Sequence, residues 1–254
     1  MKVHILGTGT SQGVPVIGCK CLVCTSEDVK NNRLRSCVVI EQDGTYILID
    51  TGPDMRQQML RADIPRIDAI LYTHEHNDHV IGLDDIRPYN FKQNEDLPIY
   101  GLERVVKEIK DRFAYVFADK RYPGAPQAVA HSITGDHTFQ VNGIKIMPIR
   151  VVHGRLPILG YRIGGMAFIT DASHIEEAEI EKLQDLDVLI INALRQEQHP
   201  SHFNLSEALE IIEKVSCRRA YITHISHYMG LQKEWSKLLP AHVKASYDGL
   251  TITL

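Results

Sequence analysis

Three imidazoles and a carboxylate fall within six residues of this chain, in Thr73-His74-Glu75-His76-Asn77-Asp78-His79, with the spacing H-x-H-x-D-H. Neutral imidazole and carboxylate are the donors that suit Zn, Mn or Fe. The apolar run Ile67-Asp68-Ala69-Ile70-Leu71-Tyr72 precedes the cluster and has the length and composition of a buried strand. The cluster therefore lies in the loop leaving that strand's C-terminal end. Such a loop can turn His74 and His76 toward one metal and Asp78 and His79 toward a second. A lone histidine pair would more often be a solvated loop, but four ligands at this spacing after a strand point to metal.

Gly18-Cys19-Lys20-Cys21-Leu22-Val23-Cys24 is a C-x-C-x-x-C knuckle. Three thiolates so close can share one zinc, which then needs a fourth ligand from elsewhere. Adjacent reduced thiols without a partner would be an oxidation liability. Cys37 and Cys217 stand alone beside apolar residues and read as core. Five cysteines, three of them clustered, in a chain without an evident export signal are a metal pattern rather than a disulfide framework.

The elements that must position these groups can be read in order. Val3 and Ile5 alternate in a short strand that ends in the turn Gly7-Thr8-Gly9-Thr10-Ser11-Gln12-Gly13, which lacks the lysine of a phosphate loop. Ser36 to Glu41 and Thr45 to Asp50 form a hairpin across Asp43-Gly44, and Asp50 either orients a metal-bound histidine or caps a turn. Asp54 to Ala62 is helical in composition, Leu97 to Tyr100 is a strand and Glu103 to Phe113 a helix. Residues 88–96 are polar and aromatic, and 114–130 are irregular and long enough for a binding loop. Arg87, Lys92, Lys120 and Arg121 are candidate phosphate contacts there, although any one of them reads first as a solvated charge.

Further on, a hairpin turning at Asn142-Gly143 ends at His153, and another turning at Gly164-Gly165 ends at Asp171. Asp187 to Ile191 leads into Arg195 to Asn204 and a helix from Ser206 to Val215. Arg219 to Thr223 ends in His224-Ile225-Ser226-His227, and the chain closes with a hairpin, Val243 to Tyr247 and Leu250 to Leu254, across Asp248-Gly249. Apolar strands thus deliver His74, His76, Asp78, His79, His153, Asp171 and His224 at their C-terminal ends. Runs of strands with helices between them imply two packed sheets flanked by helices.

The composition is that of a globular enzyme, with 44% apolar residues, 24% charged residues and a net charge of −4. No run approaches the ~18 apolar residues of a membrane span, and the first residues do not read as a signal peptide. A cytoplasmic setting is expected. The mild acidity speaks against a surface built to bind nucleic acid throughout.

The ordered ligand set resembles that of the metallo-β-lactamase superfamily over nearly the whole chain. The resemblance implies an α/β fold, a four-layer αββα sandwich, as a single domain over residues 1–254. It implies that His74, His76 and His153 hold one divalent ion, that Asp78, His79 and His224 hold the other, and that Asp171 bridges them. A narrower resemblance is to the phosphodiesterases of phosphonate degradation that open phosphoribosyl 1,2-cyclic phosphate. It is carried by Gly7-Thr8-Gly9 with Gln12-Gly13-Val14-Pro15, the cysteine knuckle, Thr73 to Gly82, and Thr223 to His227. It implies a structural zinc on Cys19, Cys21, Cys24 and His227, a catalytic pair of Mn or Zn ions, and His202 as general acid with His199 its rival. It implies Asp78 among the catalytic residues and Arg87 as a substrate contact, although Leu83 to Asn90 otherwise departs from that family.

The chemistry implied is hydrolysis of a small phosphodiester, cyclic or linear. Two divalent ions about 3.5–4 Å apart activate water for attack on phosphorus. An imidazole with a pKa near 7 protonates the leaving oxygen. The expected partner is a small molecule, with nucleic acid less favoured, no membrane, and a homodimer left open. The rivals are a tRNA 3′-processing ribonuclease, whose extended arm is missing here, a thioesterase or lactamase-type hydrolase, and a non-catalytic metal-binding relative.

Overall fold

The computed structural model describes residues 1–120 and 122–254. The first half runs β1 (Lys2–Gly7), β2 (Cys37–Gln42), β3 (Thr45–Ile49), α1 (Met55–Ala62), β4 (Ala69–Leu71), α2 (Asn77–Val80), α3 (Arg87–Gln93), β5 (Leu97–Leu102), α4 (Glu103–Arg112) and β6 (Ala128–Ile133). The second half runs β7 (Phe139–Val141), β8 (Ile144–His153), β9 (Leu156–Ile163), β10 (Met166–Ile169), α5 (Glu177–Glu181), β11 (Val188–Asn192), α6 (Leu205–Val215), β12 (Arg219–Thr223), α7 (Gln232–Trp235), β13 (Val243–Ala245) and β14 (Leu250–Thr253).

Among the described residues the strands form two seven-stranded sheets, in the orders β14-β1-β2-β3-β4-β5-β6 and β13-β12-β11-β10-β9-β8-β7. Period-2 alternation assigns each side chain to a layer. Ile47 and Ile49 point inward against Phe168, Val188 and Ile190 of the other sheet, whereas Leu48 points outward to Met55, Met59 and Ile67. In the second sheet Leu189 and Ile191 face α5 and α6, packing on Leu183, Ala208 and Ile212. The result is the expected αββα sandwich. Its central strands are buried on both faces, which is why they read as continuous apolar runs.

Three two-residue turns behave as their sequences dictate. Asp43 and Gly44 (φ 50° and 79°) join Gln42 to its partner Thr45, and Asn142 and Gly143 (φ 48° and 80°) join Val141 to Ile144. Both pairs have the positive φ values of a type I′ turn. Gly164-Gly165 joins Ile163 to Met166 in the third.

The structure corrects the closing hairpin. β13 pairs in parallel with β12 in the second sheet, and β14 pairs antiparallel with β1 in the first. Asp248-Gly249 is therefore a crossing between sheets. The Asp248 carboxylate accepts from the Thr8 hydroxyl (2.7 Å) and the Leu34 amide (2.8 Å), contacts that hold the crossing and are distant in sequence. Two further stretches gain order: part of 88–96 belongs to α3, and the end of 114–130 opens β6. β6 is an edge strand in which only Ala128 is buried, so its apolar signal is weak. Arg121 lies outside the described residues.

Candidate metal centre

β8, β10 and β12 run in one direction, and the loop after β4 meets their C-terminal ends. Ligands collect at that edge, as they do in open α/β sheets. Asp50, Asp171 and His224 each stand just past a strand end with left-handed backbones, φ 63°, 59° and 55°. Such backbones cost about 1 kcal/mol or more for residues other than glycine and concentrate at functional sites.

The structure brings the seven ligand positions read from the sequence into one cluster. His74 Nε2 lies 3.0 Å from His76 Nδ1, and these two with His153 form one group of converging donor atoms. His79 Nε2 lies 3.1 Å from Asp78 Oδ2 and 3.3 Å from Asp171 Oδ2, and His224 Nε2 lies 3.2 Å from Asp171 Oδ1. Asp171 takes part in three of the groups with metal-ligand geometry, so its carboxylate sits between both lobes.

The opposite ring nitrogens are anchored. His79 Nδ1 donates to Asp50 Oδ2 at 2.7 Å. Asp50 also accepts from the Thr73 amide and hydroxyl, both at 2.8 Å, so the hydroxyl's free lone pair accepts from His74 Nδ1 at 2.9 Å. Thr170 repeats the arrangement, donating to Asp171 Oδ2 at 2.6 Å and accepting from His224 Nδ1 at 3.3 Å. His153 Nδ1 donates to the Ser201 carbonyl at 2.6 Å. With Nδ1 given to these partners, Nε2 is the nitrogen each ring has left for a metal, which in His79 would displace a proton held by the surrounding carboxylates. The Nε2 atoms of His79 and His224 are buried without a hydrogen-bond partner among the described residues. Converging, orphaned donors of this kind fit divalent cations.

The electrostatics agree with that fit. Burial works against a charge on His79, yet Asp78, Asp171 and Asp50 outweigh it and hold its pKa well above the usual imidazole range. Burial also opposes ionisation of Asp78 and Asp171, but the neighbouring imidazoles hold both carboxyls below the ordinary range. His74, His76 and His224 are pushed down by burial and stay neutral.

His202 is buried beside this cluster. Its ring stacks on His224 at 5.0 Å, lies 4.5 Å from His153, and holds Nδ1 3.8 Å from Asp171 Oδ1. It is positioned by its neighbours in the chain. The Phe203 amide bonds the Ala172 carbonyl, and α6 begins at once with a capping box between Asn204 and Glu207. Burial pushes the His202 pKa down to about 3, so the expectation of an imidazole near 7 does not hold in the metal-free site. His199 lies farther out, 5.1 Å from His202 between ring centroids. Arg87 opens α3, and its Nη2 donates to both oxygens of Asp84, which also accepts from the Tyr115 hydroxyl. Lys92 donates to the Pro65 carbonyl.

The knuckle forms a separate centre. His227 Nδ1 lies 3.4 Å from each of the sulfurs of Cys19, Cys21 and Cys24, a closed four-donor set. The Cys24 amide is the largest of the influences that bring the Cys21 thiol down to about 6, whereas burial raises Cys24 to about 11. Cys37 and Cys217 are buried core residues. Sequence reasoning missed Thr73, Thr170 and Ser201, because hydroxyls and a carbonyl carry no signal until the rings they anchor are in place.

The beta-lactamase superfamily domain description matches residues 45–225 of this chain. The protein belongs to the metallo-β-lactamase superfamily. Among metallo-β-lactamase-fold structures it is similar to a new diphosphatase from the PhnP family, with 41% identity and a TM-score of 0.92 over 100% of this chain and 97% of that one. It shares the fold of Zn(2+)-bound PqqB from Methylobacterium extorquens, with 19% identity and a TM-score of 0.82 over the full length of both chains. It is 44% identical over 252 residues to the octanoyltransferase of Porphyromonas gingivalis, covering 98% of this metallo-β-lactamase chain but 51% of that protein. The chain thus spans about half the length of that curated relative.

Proposed function

We propose that this protein is a cytoplasmic, metal-dependent hydrolase of a small phosphodiester, with two Mn or Zn ions on the seven-residue cluster and one structural zinc on the knuckle. The observation that carries the reading is Asp171, whose carboxylate converges with His74 and His79 in one group of donor atoms, with His153 in a second, and with Asp78 and His224 in a third. Divalent ions held by these residues would supply Lewis acidity toward a phosphoryl oxygen and toward a bound water. The 41% identity to a diphosphatase of the PhnP family supports phosphorus as the centre attacked.

His202 is the proton donor in this reading. A phosphate anion entering beside its ring raises the pKa that burial has lowered, so the acid is formed as substrate binds. His199 stands behind it as the rival donor. Arg87 serves as the substrate contact once its guanidinium leaves Asp84. Asp78 holds the cationic side of the centre together with His79 and His224. Thiols at the knuckle stay reduced in the cytoplasm. No helix among the described residues is long and apolar enough to cross a membrane, which suits a small-molecule substrate taken from solution. A homodimer remains compatible with this scheme.

A second reading is hydrolysis of an acyl thioester, favoured by the 44% identity to a protein named octanoyltransferase. One panel separates the two. Metal-free protein is reconstituted with Mn²⁺ or Zn²⁺ and given cyclic phosphodiesters, linear phosphodiesters, a diphosphate ester and an octanoyl thioester. Turnover confined to the phosphorus substrates supports the proposal, and turnover confined to the thioester replaces it. Within the panel, His202→Ala should slow esters with alkoxide leaving groups by roughly 10² or more while sparing p-nitrophenyl esters. A larger selective loss in His199→Ala would move the acid to that residue.

A further inference from the structure

Helix α4 lies outside the metal cluster, and no function described so far uses it. Its buried face carries Val105, Val106 and Ile109. A second stripe, Arg104, Glu108 and Arg112, repeats every four residues, which keeps all three side chains on one side of the helix. That stripe faces the metal-binding loop.

The contacts are specific. Arg104 holds the Glu75 carboxylate in a fork, Nε to Oε1 at 3.0 Å and Nη2 to Oε2 at 3.2 Å. Arg112 Nη1 donates to the Glu75 carbonyl and to Asn77 Oδ1, both at 2.8 Å. Glu108 fixes Arg112 in turn by accepting from its Nε at 2.9 Å. Glu75 stands between His74 and His76, and His76 is extended (φ −64°, ψ 149°). Glu75 is drawn toward α4, while the rings of His74 and His76 on either side of it meet at 3.0 Å and converge with His153 in the cluster. Holding Asn77 fixes the first residue of α2, which carries Asp78 and His79.

These ion pairs are half-exposed, with side-chain exposures of 34% and 19% for Arg104 and Glu75, so they contribute little to global stability. Their effect is on geometry. His74, His79 and His153 each have a ring nitrogen anchored to a fixed partner, whereas the hydrogen bond of the His76 ring goes to His74. The position of His76 therefore depends on its backbone.

We propose that Arg104 and Arg112 are positioning residues for the metal centre, tethering the His74–His79 loop from α4 so that His76 and Asp78 are set before metal arrives. The proposal rests on the metal reading above. Partners that orient ligands change metal affinity by about 10–100-fold. Metal-free wild type, Arg112→Ala, the Arg104→Ala/Arg112→Ala double variant and Arg112→Lys are titrated with Mn²⁺ by calorimetry. The double variant should bind at least one ion about tenfold more weakly, and Arg112→Lys, which keeps the charge but loses the planar guanidinium that reaches Glu75, Asn77 and Glu108 together, should fall between it and wild type. Melting of the metal-free protein should change little. Hydrogen exchange at the Asn77 to His79 amides, measured without metal, should be faster in the double variant.

Wild-type affinity in the double variant, with wild-type exchange, overturns the proposal. A loss of affinity matched by general unfolding of the metal-free protein overturns it too, because that is a structural role. If wild type itself takes up no divalent ion, the metal reading fails, and the exchange measurement then decides whether α4 tethers the loop.

Discussion

Asp50 accepts a hydrogen bond of 2.7 Å from Nδ1 of His79, and both side chains are sealed from solvent. The same carboxylate reaches His74 through the Thr73 hydroxyl, so one buried charge orients a ring in each lobe of the cluster. Asp50→Asn keeps the volume but removes the charge and one of the acceptors. Metal affinity should fall about 10–100-fold, read by titration of the metal-free protein with Mn²⁺. Unchanged affinity would leave Asp50 as a turn residue.

The backbones of Gly52 and Gly82 cross at close range. A Cβ on Gly82 would stand 2.2 Å from the Gly52 carbonyl oxygen and 3.1 Å from that of Thr51. The Gly82 amide donates to the Thr51 carbonyl at 2.8 Å, so the segment after β3 that carries Asp50 is pinned to the segment that follows α2 and its His79. Gly82→Ala should cost about 1–3 kcal/mol in denaturant unfolding, because the backbone has to move. Tolerance of alanine at wild-type stability would mean that this crossing yields.

The knuckle and the seven-residue cluster share one short segment, with His224 in the second and His227 in the first. Ile225 between them bonds back to Thr8 and Thr10. A closed four-ligand site is structural and leaves no open position for substrate. Cys21→Ser should lower bound zinc by one equivalent and lower the melting temperature, with a smaller effect on turnover in the protein that stays folded. Full zinc content with normal melting would rule the knuckle out as a zinc site.

For His202 the sign of the pH dependence is definite. Burial lowers its folded pKa from 6.5 to about 3, so the unfolded chain binds the extra proton between those values. The stability due to the neutral ring is complete above pH 6.5 and is lost as pH falls toward 3. His79, whose pKa is raised, works in the opposite direction, so wild type alone would mix the two. The difference between metal-free wild type and His202→Gln isolates the one group. Going from pH 7 to pH 5 should move that difference against wild type by roughly 2 kcal/mol, at 1.36 kcal/mol per unit. A difference independent of pH would mean that His202 is solvated in the metal-free protein.

The sequence by itself determined the identity and order of the donors and the strand ends that carry them. Those are local properties: a ligand's side chain is written in the chain, and an apolar run before it marks a strand whatever the rest of the fold does. Two-residue turns such as Asp43-Gly44 were legible for the same reason, since their backbone demand is met within the turn. Tertiary structure decided what depends on distant partners. It separated β13 from β14, because each strand completes the edge of a different sheet. It joined Asp50 to His79, brought His202 under a burial that lowers its pKa, and laid Arg104 and Arg112 against Glu75 and Asn77. Hydrogen bonds and desolvation act over a few ångströms in space, and sequence spacing carries no record of which segments the packed sheets bring that close.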